Sequence, residues 1–312
     1  MKAIQRQKKP TRYNVVKFEH NDPASIYLST LAPNGRRSAK CQLTKSLSLL
    51  AYKGDFNQFA WHKLTYQDVT RIRFLLVAQA YSINTINLTL SVLRGVVQSS
   101  FNMGLINADQ LLRVQSIKRV TGHSLPAGRS LSRKDLKQLL KTCSQDQSLG
   151  GLRDTALLAL MAVTGIRRAE VIQLKVTDYN PRNGELRILQ GKGRKARITH
   201  IPVSVRSYLK VWLKKKPKSI LSLFCPIQKN NLCKAKSLTS QSIYLIIKLR
   251  TEEAGIEGVT PHSLRRTYIT LLLEYGVDLN TVRGLIGHSN IMTTARYDQR
   301  VVDCKRYNKL IF

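Results

Sequence analysis

Acidic residues are scarce in this chain. Its 312 residues include 18 Asp and Glu against 52 Lys and Arg, which gives a formal net charge of +34 at pH 7. The positive charge extends over the whole length instead of forming a tail, and this distribution is typical of proteins that bind a polyanion, most often nucleic acid. Charge alone does not exclude a ribosome-associated or otherwise merely basic protein.

Paired cysteines and long apolar runs are also missing. The five cysteines show no CxxC pair and no His at zinc-finger spacing, so the sequence indicates neither a metal site nor a disulfide framework. The amino terminus has no apolar core and no run reaches transmembrane length, so we expect neither secretion nor membrane insertion. We therefore expect a cytoplasmic, nucleoid-associated protein with reduced thiols.

Composition and apolar spacing divide the chain into four parts. Residues 1–20 form a basic, proline-containing arm, and residues 21–117 carry apolar stripes at helical spacing, which predict a small all-α domain. Residues 118–130 are rich in turn formers and form the predicted linker. Residues 131–312 are the second domain. Within the first domain, Pro33-Asn34-Gly35 is interpreted as a break between helices.

The second domain opens with helices and then changes its period. Residues 152–163 are apolar nearly all round and predict a buried helix, after which Thr164-Gly165 turns the chain and places Arg167 at the start of the next helix. Arg167 could be an ordinary surface arginine, although a buried helix is a rigid mount for a functional one. Residues 186–190 and 196–202 then predict two short antiparallel strands. The fold class predicted is mainly α with a small antiparallel β-sheet.

Lys192 lies at the tip of the predicted hairpin, between two glycines. Gly191-Lys192-Gly193 lacks the four-residue spacer and the Ser or Thr of a phosphate-binding P-loop, so ATP binding is not indicated. From the residues alone, Lys192 is most simply a solvated turn lysine.

Residues 260–297 carry the densest set of candidate site residues. Thr260 and Pro261 predict a helix start, so His262 and Arg265 share a face on the first turn, where free N–H groups favour an anion. His288 follows a glycine, and Tyr297 comes nine residues later. Two His, an Arg and a Tyr suggest phosphate chemistry. Two other tyrosines, at positions 268 and 275, lie on a leucine-rich helix and are expected to be partly buried.

Four motifs in this order resemble the signature of the tyrosine recombinase, or phage integrase, family. They are TGIRRAE from Thr164, GKGRK from Gly191, HSLR from His262, and LIGHSNIMTTARY ending at Tyr297. The resemblance implies that Arg167, Lys192, His262, Arg265 and His288 surround a DNA phosphate that Tyr297 attacks.

The resemblance also implies a fold and partners. It assigns residues 21–117 to a helical core-binding domain that clamps DNA and residues 131–312 to a mixed α/β catalytic domain with a C-terminal tail. The implied partners are double-stranded DNA with paired inverted half-sites, three further copies of the chain in a homotetramer, and possible accessory DNA-bending proteins. Five basic residues on polar helical faces of the first domain are candidates for phosphate contacts: Lys40, Lys45, Arg71, Arg73 and Arg94.

The implied reaction needs help from its surroundings, because a phenol has a pKa of about 10 and ionising it at pH 7 costs roughly 4 kcal/mol. Arg167 and Arg265 would neutralise the non-bridging oxygens, and one of the two histidines would assist proton removal from Tyr297. Lys192 is the family's candidate general acid for the leaving 5′-oxygen. The 3′-phosphotyrosine product keeps the bond energy, so we expect no cofactor, no ATP and no metal.

Several functions stay open on the sequence alone. Integration or excision of a mobile element and Xer-like resolution of replicon dimers cannot be separated. A type IB topoisomerase would use the same chemistry to relax supercoils, and a non-catalytic relic would bind DNA without cutting it.

Overall fold

The computed structural model describes residues 22–54, 56–122, 129–189, 196–288 and 290–298. The predicted basic arm, Lys192 and the last fourteen residues lie outside these ranges. The chain divides into two compact units, Met1–Leu125 and Pro126–Phe312. None of the helices in the described ranges has the length and apolar character that a membrane crossing requires. The cysteines in these ranges are free thiols.

The first unit is built from helices around one long central helix. These are α1 (Pro23–Thr30), α2 (Pro33–Leu49), α3 (Tyr66–Ala78), α4 (Ile83–Asn102) and α5 (Ala108–Gln115). Most begin at a side-chain cap: Thr65 and Asp68, for example, form a reciprocal capping box at α3. The apolar face of α4 is buried against the other helices and carries the core, including Leu90 and Leu93.

The interpretation of Pro33-Asn34-Gly35 as a helix break was wrong. Pro33 is the first residue of α2, and Gly35 lies within that helix. Proline is tolerated at the first helical position because its missing N–H would have no partner there in any case. The break between α1 and α2 lies just before Pro33, at Leu31 and Ala32, whose backbones are both extended.

The second unit combines helices with one two-stranded sheet. Its helices are α6 (Arg133–Gln145), α7 (Leu149–Thr164), α8 (Arg168–Val171), α9 (Val203–Lys215), α10 (Ser240–Glu253), α11 (Pro261–Glu274), α12 (Leu279–Ile286) and α13 (Ile291–Ala295). The strands β1 (Glu185–Ile188) and β2 (Arg197–His200) pair antiparallel, with Ile188 opposite Arg197. The mainly helical fold with a small antiparallel sheet is confirmed.

Helix α7 is the centre of this unit. Its residues from Thr155 to Ala162 are all buried, as the apolar run predicted, and α6, α9, α10 and α11 pack around it. The helix ends at Gly165, whose φ of 57° is left-handed. A buried α7 therefore holds the turn that follows it in a fixed place.

A smaller apolar cluster supports the carboxyl-terminal helices. Ile269 and Leu273 of α11 pack against Val282 and Ile286 of α12, and Tyr297 lies partly buried on the same cluster. Tyr275, expected to be partly buried, is instead 69% exposed, and Arg133 lies over its ring. Tyr275 is the C-cap residue of α11, two positions after the buried Leu273 and so on the opposite side of the helix.

Candidate active site

A single glycine turn positions the first arginine of the site. Gly165 adopts a conformation that side chains rarely accept, and a Cβ built there would lie 2.6 Å from the Cδ1 atom of Tyr268. Both conditions call for glycine. The turn buries Ile166 and delivers Arg167 to the N-cap position of α8.

Arg167 is held from two sides. Its Nη1 donates to Glu170 Oε1 at 2.8 Å, and its backbone N–H donates to Glu170 Oε2 at 3.0 Å. Its Nη2 donates to the carbonyl oxygen of Gly287 at 3.0 Å. The side chain stays 31% exposed, so an anion in solution can reach it.

Arg265 is more buried than Arg167, and its guanidinium donates hydrogen bonds to backbone carbonyls of two turns. Its Nη1 donates to the Gly165 carbonyl at 2.6 Å, and its Nη2 donates to the Ile286 carbonyl at 2.7 Å. The residue is 4% exposed. Arg167 and Arg265 therefore both bind the carbonyl end of α12, where the partial negative charge of a helix C-terminus stabilises cations.

The electrostatics of this pocket favour an anion. Burial lowers the pKa of Arg265, and repulsion from Arg167 and Arg197 lowers it further, while Glu170 opposes the shift. The cationic form of Arg265 is thus destabilised where it stands. A phosphate diester bound beside it would supply the missing negative charge.

The second histidine connects the pocket to the candidate nucleophile. His288 Nδ1 lies 3.0 Å from the Thr294 hydroxyl, and the His288 ring is stacked on the Tyr297 ring with centroids 6.4 Å apart. Burial lowers the pKa of His288 to about 4, with further lowering from Arg265 and Arg167. His288 is therefore neutral at pH 7, with one ring nitrogen free of a proton and able to accept a hydrogen bond.

His262 lies on the first turn of α11, one turn before Arg265, and is exposed. The protein around the ring limits its hydration, which lowers its pKa, and Arg168 and Arg265 lower it further. Like His288, it is held towards its neutral form by a cationic surrounding.

The described residues thus bring Arg167, Arg265, His288 and Tyr297 together, with His262 on the adjoining helical turn. The contacts at Gly287 and Ile286 link both arginines to the segment that leads into His288 and Tyr297. The sixth predicted residue, Lys192, lies outside the described ranges.

Sequence reasoning missed the residue that completes the arginine's support. Arg197 of β2 donates from both Nη atoms to Glu170, and its side chain is 9% exposed. Strand alternation was the available signal, because Arg197 lies on the same face as Thr199 and Ile201, which are both buried. The carbonyl contacts to the two arginines have no sequence signal, because every residue carries a carbonyl.

Comparison with known proteins gives the family. A model of the phage integrase family matches residues 129–302. Tyrosine recombinase XerA of Pyrococcus furiosus is 31% identical over 233 residues, 75% of this chain and 76% of that protein. Tyrosine recombinase XerC of Roseiflexus castenholzii is 27% identical over 301 residues, 89% of this chain and 88% of that protein.

Solved structures share the fold. The Tn1549 transposon integrase in complex with circular intermediate DNA has a TM-score of 0.67 at 14% identity, covering 93% of this chain and 99% of that one. The XerH recombinase bound to its difH substrate has a TM-score of 0.64 at 20% identity, covering 89% and 79%. The matched sequence and the shared fold together establish that this chain belongs to the phage integrase family, the tyrosine recombinases, which cut and rejoin DNA through a tyrosine.

Proposed function

We propose that this protein is a site-specific recombinase in which the Tyr297 hydroxyl attacks a DNA backbone phosphorus. The P–O5′ bond breaks, the 5′-oxygen leaves with a proton, and a 3′-phosphotyrosine bond forms. A 5′-hydroxyl from another strand then reverses the step and rejoins the DNA. The observation that supports this most directly is the stacking of Tyr297 on His288, within a pocket that holds Arg167 and Arg265.

Each residue has a distinct role in the proposed step. Arg167 and Arg265 neutralise the two non-bridging oxygens as charge builds in the transition state, for which a forked guanidinium is well suited. His288 and His262, both held towards the neutral form, supply hydrogen bonds, and one of them takes the Tyr297 proton. Lys192 protonates the leaving oxygen.

The proposed partners follow the family. The substrate is double-stranded DNA with paired inverted half-sites, bound by a homotetramer, with accessory DNA-bending proteins as possible additions. The first unit is proposed to bind the DNA backbone as the core-binding domain. The reaction as written needs neither ATP nor a metal ion, because the 3′-phosphotyrosine bond keeps the energy of the broken bond.

For the biological role, we propose integration or excision of a mobile element. Xer-like resolution of replicon dimers is the second candidate, and it is supported by the similarity to the recombinases XerA and XerC. A reporter plasmid with two copies of the recognised site separates both from a type IB topoisomerase. Recombined products are expected, whereas supercoil relaxation without recombination would indicate the topoisomerase.

The decisive experiment traps the covalent intermediate. On nicked suicide DNA, where the cleaved fragment diffuses away, the parent protein is expected to form an adduct in EDTA, and Tyr297→Phe is expected to form none while keeping its DNA affinity. Tyr275→Phe is the matched control, because Tyr275 is exposed at the far end of α11. Mass spectrometry of the attached peptide identifies the tyrosine. An adduct through any other tyrosine would overturn the assignment.

A further inference from the structure

Arg197 makes a buried ion pair that is shared with the site. Its Nη1 donates to Glu170 Oε1 at 3.1 Å and its Nη2 to Glu170 Oε2 at 2.8 Å, in the paired geometry that a guanidinium fork and a carboxylate form. The Arg197 and Glu170 side chains are 9% and 10% exposed. Solvent therefore cannot replace either partner readily.

Glu170 is saturated by two arginines. Each carboxylate oxygen accepts one hydrogen bond from Arg197 and one from Arg167, either from its guanidinium or from its backbone N–H. A carboxylate has about four lone-pair sites, so all of them are occupied. Burial alone would raise the pKa of Glu170, but the hydrogen bonds from Arg197 and Arg167 and the positive charge of Arg197 lower it to about 2. The carboxylate is thus a fixed anion with its orientation set from both sides.

From this geometry we propose that Arg197 is a positioning residue of the active site. It fixes the carboxylate of Glu170, and through Glu170 it fixes the guanidinium and the backbone of Arg167, without contacting the phosphate itself. The proposal rests on the proposed function, because it assigns Arg197 a role through Arg167.

Position 197 requires the forked guanidinium of an arginine, and not only a positive charge. Both Nη atoms of Arg197 bind Glu170, one to each carboxylate oxygen, while its buried Nε has no hydrogen-bond partner in the described part of the chain. A lysine would keep the positive charge but would offer a single ammonium to two carboxylate oxygens. Glu170 would then be held on both oxygens only by Arg167, and the carboxylate could shift together with the Arg167 guanidinium that it orients.

The test compares two arginines of the same hairpin. Arg197→Lys is set against Arg187→Lys, because Arg187 lies on β1 and pairs with Glu185 in solvent, with 67% of its side chain exposed. The measurement is the single-turnover rate of covalent adduct formation on suicide DNA, together with the dissociation constant for the same DNA. We expect Arg197→Lys to slow adduct formation by roughly 10- to 100-fold, the range expected when a catalytic group is displaced by about 1 Å. The control and both dissociation constants are expected to stay within about twofold of the parent protein.

A second substrate separates positioning from general damage to the fold. A methylphosphonate at the scissile position replaces one non-bridging oxygen with a methyl group, which removes the negative charge that Arg167 must neutralise. The defect of Arg197→Lys is expected to shrink severalfold on this DNA, as is that of Arg167→Lys. The double variant Arg197→Lys, Arg167→Lys is expected to be little slower than Arg167→Lys alone, because both changes act on one group. A defect of equal size on both substrates, with additive effects, would contradict the proposal.

Should Arg197→Lys unfold, the paired variant Glu170→Gln, Arg197→Met removes both buried charges and avoids leaving one alone. A folded paired variant that forms the adduct at the parent rate would overturn the positioning role. The proposed function fails separately, and is recognised by the parent protein forming no adduct. In that case the role of Arg197 is contradicted as well, since it has no reaction to serve.

Discussion

At the scale of single residues, the histidine beside Tyr297 has the clearest pH signature. Burial and the neighbouring arginines lower the pKa of His288 from about 6.5 to about 4. Between pH 4 and pH 6.5, His288 is protonated in the unfolded chain but not in the folded chain. The free energy of unfolding therefore rises with pH across this window. The stabilisation is lost as pH falls towards 4.

We therefore expect His288→Gln to flatten the dependence of the melting temperature on pH between about 4 and 6.5. The amide of glutamine cannot titrate, so the variant has one fewer proton to exclude on folding. Thermal unfolding of the free protein, followed by circular dichroism at several pH values, measures the slope. His200→Gln is the control, since His200 is exposed on β2. An unchanged slope in His288→Gln would show that His288 is not held neutral.

The sequence could predict a candidate site residue when a local element positions it, but not when a residue distant in sequence does. The places of Arg167 and Arg265 in the fold could be predicted, because each lies at a helix start, which has a local sequence signature. Arg197 was missed because its role depends on Glu170, which is distant in sequence and comes near only when β2 folds over α8. Arg94 was expected on a polar face, but it donates to the Ile117 carbonyl and burial lowers its pKa. In both cases the contacts were set by tertiary neighbours and not by the local pattern of the strand or the helix.

At the scale of elements, the turn after α7 and the end of α12 act as one support for the two arginines. The Gly165 carbonyl binds Arg265, and the Gly287 carbonyl binds Arg167. Displacing either turn is therefore expected to disturb both cations. The existence and type of most helices followed from apolar spacing, whereas this mutual support of two turns is a property of the packed unit.

Gly165→Ala tests this support. A left-handed conformation costs a non-glycine residue about 1–2 kcal/mol, and here the new methyl group would also press on the Tyr268 ring. We expect a destabilisation above that range in chemical denaturation and a loss of adduct formation under conditions where the variant stays folded.

The matched control for this variant is Gly255→Ala. Gly255 also follows a helix and has a φ of +67°, but an added Cβ would meet nothing within 4 Å. We expect Gly255→Ala to be destabilised only by the left-handed conformation of the new alanine and to form the adduct at the parent rate. Equal losses of activity in both variants would show that the Gly165 turn has no special link to the arginines.

At the scale of the whole molecule, the net charge of +34 predicts a DNA affinity that depends strongly on salt. The sequence shows where the basic residues are but not what they contact, because a lysine or arginine on a helix can face DNA, solvent or another residue. Of the five basic candidates in the first unit, Arg71 is exposed on α3, whereas Lys45 lies over the Tyr81 ring. Arg71 is therefore the best single test of a phosphate contact.

We expect Arg71→Gln to weaken binding to all DNA sequences alike and to reduce the slope of log K against log salt by about 0.9, the value for one lost phosphate contact on duplex DNA. Arg113→Gln is the control, because Arg113 of α5 is equally charged but is paired with Asp109 at 2.8 Å in solvent. Fluorescence anisotropy at several salt concentrations measures both. Since the two variants change the net charge by the same amount, a slope that falls equally in both would mean that total charge, and not the α3 surface, sets the affinity of the first unit.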